Sequence, residues 1–169
     1  MHFNNPLFLG LLGLVTAMDL PTVTNDLSVM ATDLLNLNRV INAYSSTGEQ
    51  NSVVTINERR LEEHTTAAIE HIRLLDPLDP YNSKTITDII LQLGPSMNRY
   101  LSDVQDKKSY FKEAHYDQTM RQNLERFQKE AKGLSETVQT KVQPNNARQI
   151  KETFQESDQW FDRVIKQFQ

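Results

Sequence analysis

Histidine is the residue type with the widest chemical reach in this chain, and two of the four histidines, His64 and His71, share one predicted helix. They are seven residues apart, which is about 10.5 Å along a helix axis. That distance is too long for the pair to bind one metal ion. Neither histidine belongs to a Glu-x-x-His pair, the spacing that carboxylate-bridged di-iron bundles use. We therefore predict no metal site and no cofactor, and expect each histidine to find a backbone or water partner.

The residues needed for nucleophilic catalysis are also missing. The chain has no cysteine and no Gly-x-Ser-x-Gly motif, and its five glycines are scattered and do not form a phosphate-binding loop. Carboxylate pairs such as Glu62-Glu63 and Glu152-Glu156 lie opposite the apolar helix faces, where charged residues are usually solvated. These patterns predict a protein that is not an enzyme.

Composition and the N-terminal residues indicate the compartment and the class of partner. The net charge of -4 disfavours a nucleic-acid binder, which would need a basic face to neutralise phosphates. An apolar run from Leu7 to Val15, followed by Thr16-Ala17, is typical of a secretory signal cleaved after residue 17. The run is too short to span a membrane. We predict a secreted protein, with a signal at 1–17 and one domain at 18–169.

Apolar residues recur along the chain at spacings of three and four, which is the period of an amphipathic helix. No alternating run typical of a strand is found. The expected fold is therefore all-α: an up-and-down bundle of about five long helices joined by short connections. Pro21 is expected in a first turn, and caps are expected at Asp117 and at Asn145 or Asn146. The predicted helices carry the stripe Val23 to Tyr44, the segment Val53 to Leu75, the segment Ile86 to Phe111, a stripe from Tyr116 to Val138, and a stripe from Ala147 to Phe168.

Gly94-Pro95 interrupts the third of these helices. Glycine is a poor helix former, and Pro95 removes a backbone donor and crowds the carbonyl four residues earlier. We predict that the third helix is kinked or broken there. A bent helix cannot pack flush along a straight neighbour, so we expect the bend to hold the helix off its neighbours and leave an internal space.

Three features together resemble a known family. A long apolar stripe follows the signal at once, Lys107-Lys108-Ser109-Tyr110-Phe111 closes the third helix, and Lys141-Val142-Gln143-Pro144 precedes the last. From Leu20 to Phe168 the chain resembles the fungal hydrophobic surface-binding proteins and the related Mp1-type cell-wall galactomannoproteins. The resemblance implies a secreted bundle of about five helices, which in Mp1-type members encloses an apolar cavity for a long-chain fatty acid. Other members adsorb to hydrophobic surfaces.

The family offers no short motif that fixes the ligand contacts, so the candidate site is inferred from the helix stripes. The leading hypothesis is a long-chain fatty acid held between helices, with Ser157 or His64 near its head group. The alternative is a surface-active bundle that opens and spreads its apolar faces on a hydrophobic surface. This chain lacks the Ser/Thr-rich tail and anchor signal of some members, which leaves association with the cell wall without a lipid anchor as an open expectation. The candidates for contact with the acyl chain are Leu37, Ile41, Leu93, Met97, Phe127 and Phe161.

Overall fold

The computed structural model describes residues 19–46 and 48–169, and the predicted signal segment lies outside them. These residues form helices and connections, with no strand among them, as the all-α prediction requires. Five of the helices have 23 to 27 residues and one has six. The helices are α1 (Leu20–Asn42), α2 (Gly48–Leu74), α3 (Pro80–Asp106), α4 (Lys108–Glu113), α5 (Asp117–Gln139) and α6 (Pro144–Lys166).

The six helices in this part of the chain differ from the expected five because the third stripe spans two helices. α3 ends at Asp106, and Lys107 then serves as the last cap of α3 and the first cap of α4. Phe111, expected at the end of the third helix, therefore belongs to the short α4. α2 also begins at Gly48, five residues earlier than its apolar pattern indicates.

Proline and aspartate mark the start of α1, but the caps predicted for two later helices are wrong. Pro21 lies in the first turn of α1 as expected, and the Asp19 side chain accepts a hydrogen bond from the Thr22 N–H at 3.0 Å. The caps predicted in α5 and α6 are wrong, since the cap positions are Tyr116 and Gln143. Proline at position 144 already has the backbone angle of a first helical residue, so α6 starts before the asparagines.

The five long helices close into a ring. α1 packs on α2 and α3, α2 packs on α5, α5 packs on α6, and α6 returns to α3. Successive long helices alternate in direction, as an up-and-down bundle requires, but α2 and α3 are not neighbours in the ring. Two contacts along each pair of helices give the relative direction. Asn38 contacts Ser96 and Tyr44 contacts Lys107, so α1 lies parallel to α3. Thr55 contacts Tyr116 and Glu58 contacts Asn123, so α2 lies parallel to α5.

A ring of five helices leaves a wider centre than a four-helix bundle. At interaxial distances of about 8–10 Å, each axis lies roughly 7–8.5 Å from the centre, against roughly 6–7 Å for four helices. Large side chains fill the difference. The ring of Tyr100 lies 5.6 Å from that of Phe127, and Phe127 lies 5.4 Å from Phe161, so three aromatic residues connect α3, α5 and α6 through the core.

One end of the ring is closed by aromatic residues around α4. Phe111 is fully buried, and its ring lies 4.4 Å from Tyr44, 6.1 Å from Tyr116 and 6.3 Å from Phe168. The Lys107 amine donates to the Tyr44 carbonyl at 3.1 Å, which ties the end of α3 to the end of α1. Within the described part of the chain, this end of the ring therefore offers no opening into the core.

α3 is one continuous helix through Gly94 and Pro95, so the predicted break is not found. Gly94 is buried, and a Cβ atom placed on it would lie 2.8 Å from the Thr153 Cγ2 atom of α6. The glycine thus allows α3 and α6 to approach closely. This is the opposite of the expected effect, in which these residues were to hold α3 away from its neighbours.

Candidate functional site

A cleft with an apolar floor lies between α5 and α6, and we call it the α5–α6 cleft. Its volume is about 410 Å³, which falls within the range of small-molecule pockets. Its floor is apolar and its rim polar. The lining residues are Gln128, Ala131, Lys132, Ser135, Glu136, Gln139, Lys151, Phe154, Gln155, Ser157, Asp158 and Phe161.

The floor of the cleft is also a wall of the bundle centre. Ala131 and Phe154 line both the cleft and a small space in the middle of the ring, called here the central void. The central void measures about 10 Å³, roughly the room for one water molecule. The bundle centre is therefore packed, and only side-chain movement would open it to a chain of carbon atoms. Its lining is Met30, Leu34, Leu61, Thr65, Leu93, Met97, Phe127, Ala131, Leu134 and Phe154.

Two lysines stand at the rim of the α5–α6 cleft without a partner. Lys132 on α5 and Lys151 on α6 make no side-chain hydrogen bond or ion pair with any residue in 19–46 or 48–169. Of the two rim acids, Asp158 accepts a hydrogen bond from the Gln128 amide at 2.7 Å, while Glu136 is exposed. The rim therefore holds two ammonium groups available to an anion.

A second polar cluster lies where α2 packs on α5, and we call it the α2–α5 seam. It consists of Glu58, Glu62, Asn123, Arg126 and Glu130, and it covers a space of only about 20 Å³. The Glu58 carboxylate accepts hydrogen bonds from the Asn123 amide and from the Tyr100 hydroxyl, the latter at 3.4 Å. Arg126 lies 3.4 Å from Glu62, so paired side chains close this interface.

Burial raises the pKa values of two carboxyl groups in the α2–α5 seam toward neutral pH. Burial raises the pKa of Glu58 to about 8, against the opposing effects of Tyr100, Arg126 and Asn123. The pKa of Glu130 is raised to about 7, first by burial and then by the negative charge of Glu62. Burial and the nearby Glu58 also raise the pKa of Tyr100 well above its usual value. Glu58 is thus mostly protonated and Glu130 about half protonated at neutral pH, and both gain negative charge as the pH rises.

Six of the eight predicted site residues line one of these three spaces. Ser157 and Phe161 line the α5–α6 cleft, where the Ser157 hydroxyl donates to the Asn98 side-chain oxygen at 3.2 Å. Leu93, Met97 and Phe127 meet at the central void. Leu37 lies beside Phe127 under the α2–α5 seam, and Ile41 is fully buried without lining any of these spaces.

His64 lies away from all three spaces. It pairs with Asp33 across the interface of α1 and α2, and His71 pairs with Asp26 at 2.6 Å in the same way. The expected backbone or water partners are therefore replaced by carboxylates. The equal spacing of seven between the two histidines and between the two aspartates is a sequence signal from which this pairing could have been predicted.

Sequence reasoning identified Ser157 and Phe161 but missed the other residues that line the cleft. The helical pattern places Lys132 on the solvated face, and it places Ala131 and Phe154 on apolar stripes without indicating an opening beside them. Nothing in the helical period separates a rim lysine from an ordinary surface lysine, because both lie at the edge of the apolar stripe. Among the residues described, no cluster of three or more metal-ligating side chains occurs, and no helix is long and apolar enough to cross a membrane.

Comparison with known families decides the classification. The family described as hydrophobic surface binding protein A matches residues 20–140, most of the chain. The chain belongs to this family. No curated protein matches the sequence.

Solved structures agree with the family in fold. The crystal structure of AfMp4p in complex with palmitic acid has a TM-score of 0.87 at 23% identity, covering 89% of this chain and 100% of that one. Ligand binding domain 1 of the Penicillium marneffei MP1 protein, complexed with arachidonic acids, has a TM-score of 0.82 at 16% identity, with 89% and 99% covered. Domain 2 of the same protein, with multiple arachidonic acids, has 0.80 at 18% identity, with 89% and 96% covered.

Proposed function

We propose that this member of the hydrophobic surface binding protein A family binds long-chain fatty acids between its helices. The observation that carries the proposal is the α5–α6 cleft, whose floor residues Ala131 and Phe154 also line the bundle centre. An acyl chain lying in the cleft needs only to displace this floor to reach the apolar core. The fatty acids bound by AfMp4p and by the MP1 domains support the same ligand class.

The bundle centre is built from side chains that can rearrange around such a chain. Met30 and Met97 line the central void, and methionine has three rotatable bonds that adapt to irregular shapes. Leu93, Met97, Phe127 and Phe161 would contact the tail, with Leu37 beyond Phe127. Ile41 extends the same stripe of α1.

The polar contacts of the head group are part of the same proposal. Ser157 lies in the cleft and is the better placed of the two predicted polar residues. His64 would contact a ligand only after leaving Asp33, with which it is paired.

A bend in α3 is a further part of the proposal. Pro95 cannot donate to the Leu91 carbonyl and is exposed on the outer side of α3. A bend with Pro95 on its convex side would curve α3 around the ring, as long surface helices commonly curve around a core.

Thermal unfolding of delipidated protein tests the proposed function. Palmitate at a hundred times its dissociation constant should stabilise the fold by about 2.7 kcal/mol. For a domain of this size that corresponds to roughly 5–11 °C in the melting temperature. Hexadecane emulsion without a head group serves as the control for unspecific apolar contact. An unchanged melting temperature at saturating palmitate would reject fatty-acid binding.

The alternative function is adsorption to hydrophobic surfaces, and the name of the family supports it. Each long helix carries one apolar face, and the chain has no cysteine to lock the bundle closed. Hydrogen exchange of protein bound to polystyrene beads distinguishes the two functions. A bundle that opens should lose protection in core amides of all the long helices, whereas a closed fatty-acid carrier should keep it.

We further propose secretion after removal of residues 1–17. The apolar run and the small residues before Met18 support this. N-terminal sequencing of material from the culture medium is the test. An intact Met1 in that material would reject the signal.

A further inference from the structure

We propose that the α5–α6 cleft is the entrance for the ligand and that Lys132 and Lys151 hold a negatively charged head group at its rim. The inference rests on the proposed function and narrows it. The ligand class becomes a single-chain anionic amphiphile, as opposed to a neutral alcohol, ester or alkane. The proposal rests on one observation: the same cleft has an apolar floor that adjoins the bundle centre and two unpaired lysines at its solvent-exposed rim.

The path inward is short and apolar. Ala131 is the smallest side chain in the wall between the cleft and the central void, and Phe154, which is 7% exposed, covers the rest of it. Rotation of Phe154 toward solvent joins the two spaces without separating any paired polar groups. Phe161 lies along the same wall and provides a further apolar surface for the chain.

The charges at the rim are arranged for an anion despite two nearby carboxylates. Asp158 is bonded to the Gln128 amide, which also donates to Asp162 at 2.8 Å. Those groups lie at the end of the cleft nearest Phe161. Lys151 faces the opposite end, where Ser135 and Gln139 are the neighbouring polar residues on α5. Lys132 lies one helical turn from both Gln128 and Glu136, so a head group between the middle of the cleft and that end would lie between the two lysines, beside one exposed acid, Glu136.

Other helix interfaces do not combine these features. The α2–α5 seam presents three glutamates and would repel an anion above neutral pH. Gly94 and Thr153 close the interface of α3 and α6. A groove of about 300 Å³ beside α1 and α3 contains Arg39 and Arg99, but it shares no lining residue with the central void.

The test compares ligands that differ in the head group. Titrations of delipidated protein at low ionic strength would use palmitate and hexadecanol, with the double variant Lys132→Gln/Lys151→Gln beside the parent protein. We expect palmitate to bind roughly threefold to tenfold more weakly to the variant, since exposed charge contacts are individually small. Hexadecanol should bind both proteins equally. The matched control is Lys108→Gln/Lys112→Gln on α4, which removes the same charge from one half-buried and one exposed position outside the cleft.

The possible results separate the entrance from the proposed function. An equal loss of palmitate affinity in the control variant would show a general charge effect and overturn the assignment of the head group. Unchanged palmitate affinity in the cleft variant would overturn it too, while leaving fatty-acid binding intact. Failure of the parent protein to bind palmitate at all would instead reject the proposed function.

Discussion

The two interfaces of α5 differ in how their side chains fill the space between helices. Toward α6 the facing residues include the short side chains of Ala131, Ser135 and Ser157, and a cleft of about 410 Å³ remains. Toward α2 they include glutamates, an arginine and an asparagine, which pair with one another and leave about 20 Å³. Side-chain length and pairing therefore decide where this ring of helices can admit a ligand.

The contrast extends to what each interface would require in order to open. Opening the α2–α5 seam would separate the Glu58 carboxylate from Asn123 and Tyr100, and buried polar groups that lose their partners are costly. Opening the α5–α6 cleft requires only the movement of Phe154, an apolar side chain at the surface of the core. The first interface is suited to holding the ring closed, and the second to exchange of ligand.

The largest expected effect comes from removing the Phe154 side chain at the floor of the cleft. Phe154→Ala should lower the free energy of unfolding by about 3–5 kcal/mol, because it leaves a cavity in the core. It should also speed palmitate association, because the wall between cleft and central void is lost. Urea unfolding and stopped-flow binding measure the two effects.

The matched control for that prediction is Leu124→Ala. Leu124 is a fully buried residue of α5 that lines neither the cleft, nor the central void, nor the space under the α2–α5 seam. The substitution should lower stability by a similar amount, about 2–5 kcal/mol, without faster association. Equal association rates in the two variants would contradict the cleft as the entrance.

A smaller effect is expected where α3 and α6 touch. Gly94→Ala places a Cβ atom against Thr153, at 2.8 Å from its Cγ2 atom in the unrelaxed structure. Overpacking costs about 1–3 kcal/mol, while the gain in helix propensity is only about 1 kcal/mol. The variant should therefore be less stable than the parent by up to about 2 kcal/mol in urea unfolding.

Thr153→Ser removes the Cγ2 atom that would clash with the new Cβ atom, so it tests whether this clash causes the loss of stability. The double variant Gly94→Ala/Thr153→Ser should recover most of the loss relative to Thr153→Ser alone. A Gly94→Ala variant that is more stable than the parent would show that Gly94 is only a tolerated defect in α3.

The smallest expected effect is a dependence of stability on pH at the α2–α5 seam. The pKa values of Glu58 and Glu130 are about 8 and about 7 in the folded protein, above the ordinary 4.5. Between pH 4.5 and 8 the folded state holds protons that the unfolded state has released, so stability falls as the pH rises.

Urea midpoints measured from pH 5 to pH 9 check this slope. Glu58→Gln should flatten it, because the amide cannot ionise. Glu136→Gln, which changes an exposed carboxylate of the α5–α6 cleft, should leave it in place. A parent protein whose stability rises over the same range would contradict the assignment of Glu58 and Glu130 as buried acids.

The sequence predicts the core well because burial follows the helical period. Val23, Leu27 and Ile41 of the first stripe are fully buried, as are Ile86 and Val104 of the third. Helical periodicity does not predict the order of the helices around the ring, because an apolar stripe indicates only that its helix packs against some partner. The pairing of α2 with the distant α5, which creates the glutamate cluster, therefore became visible only in three dimensions.

The candidate site was predicted only in part, for a related reason. The aromatic residues Phe127 and Phe161 were identified as large members of two stripes, and the structure places them in contact. The cleft beside them depends on short side chains, which give no strong signal in a hydrophobic pattern. Gly94 was misread because the same residue type that weakens a helix also permits close contact with a neighbouring one.

The most direct test of lipid binding through the α5–α6 cleft is a crystal structure of the delipidated protein soaked or co-crystallised with palmitate. The account predicts a carboxylate at the rim beside Lys132 and Lys151, and an acyl chain passing between Ala131 and a displaced Phe154 into the bundle centre. An acyl chain entering through the α2–α5 seam, with its head group on Glu58 and Asn123, would contradict it.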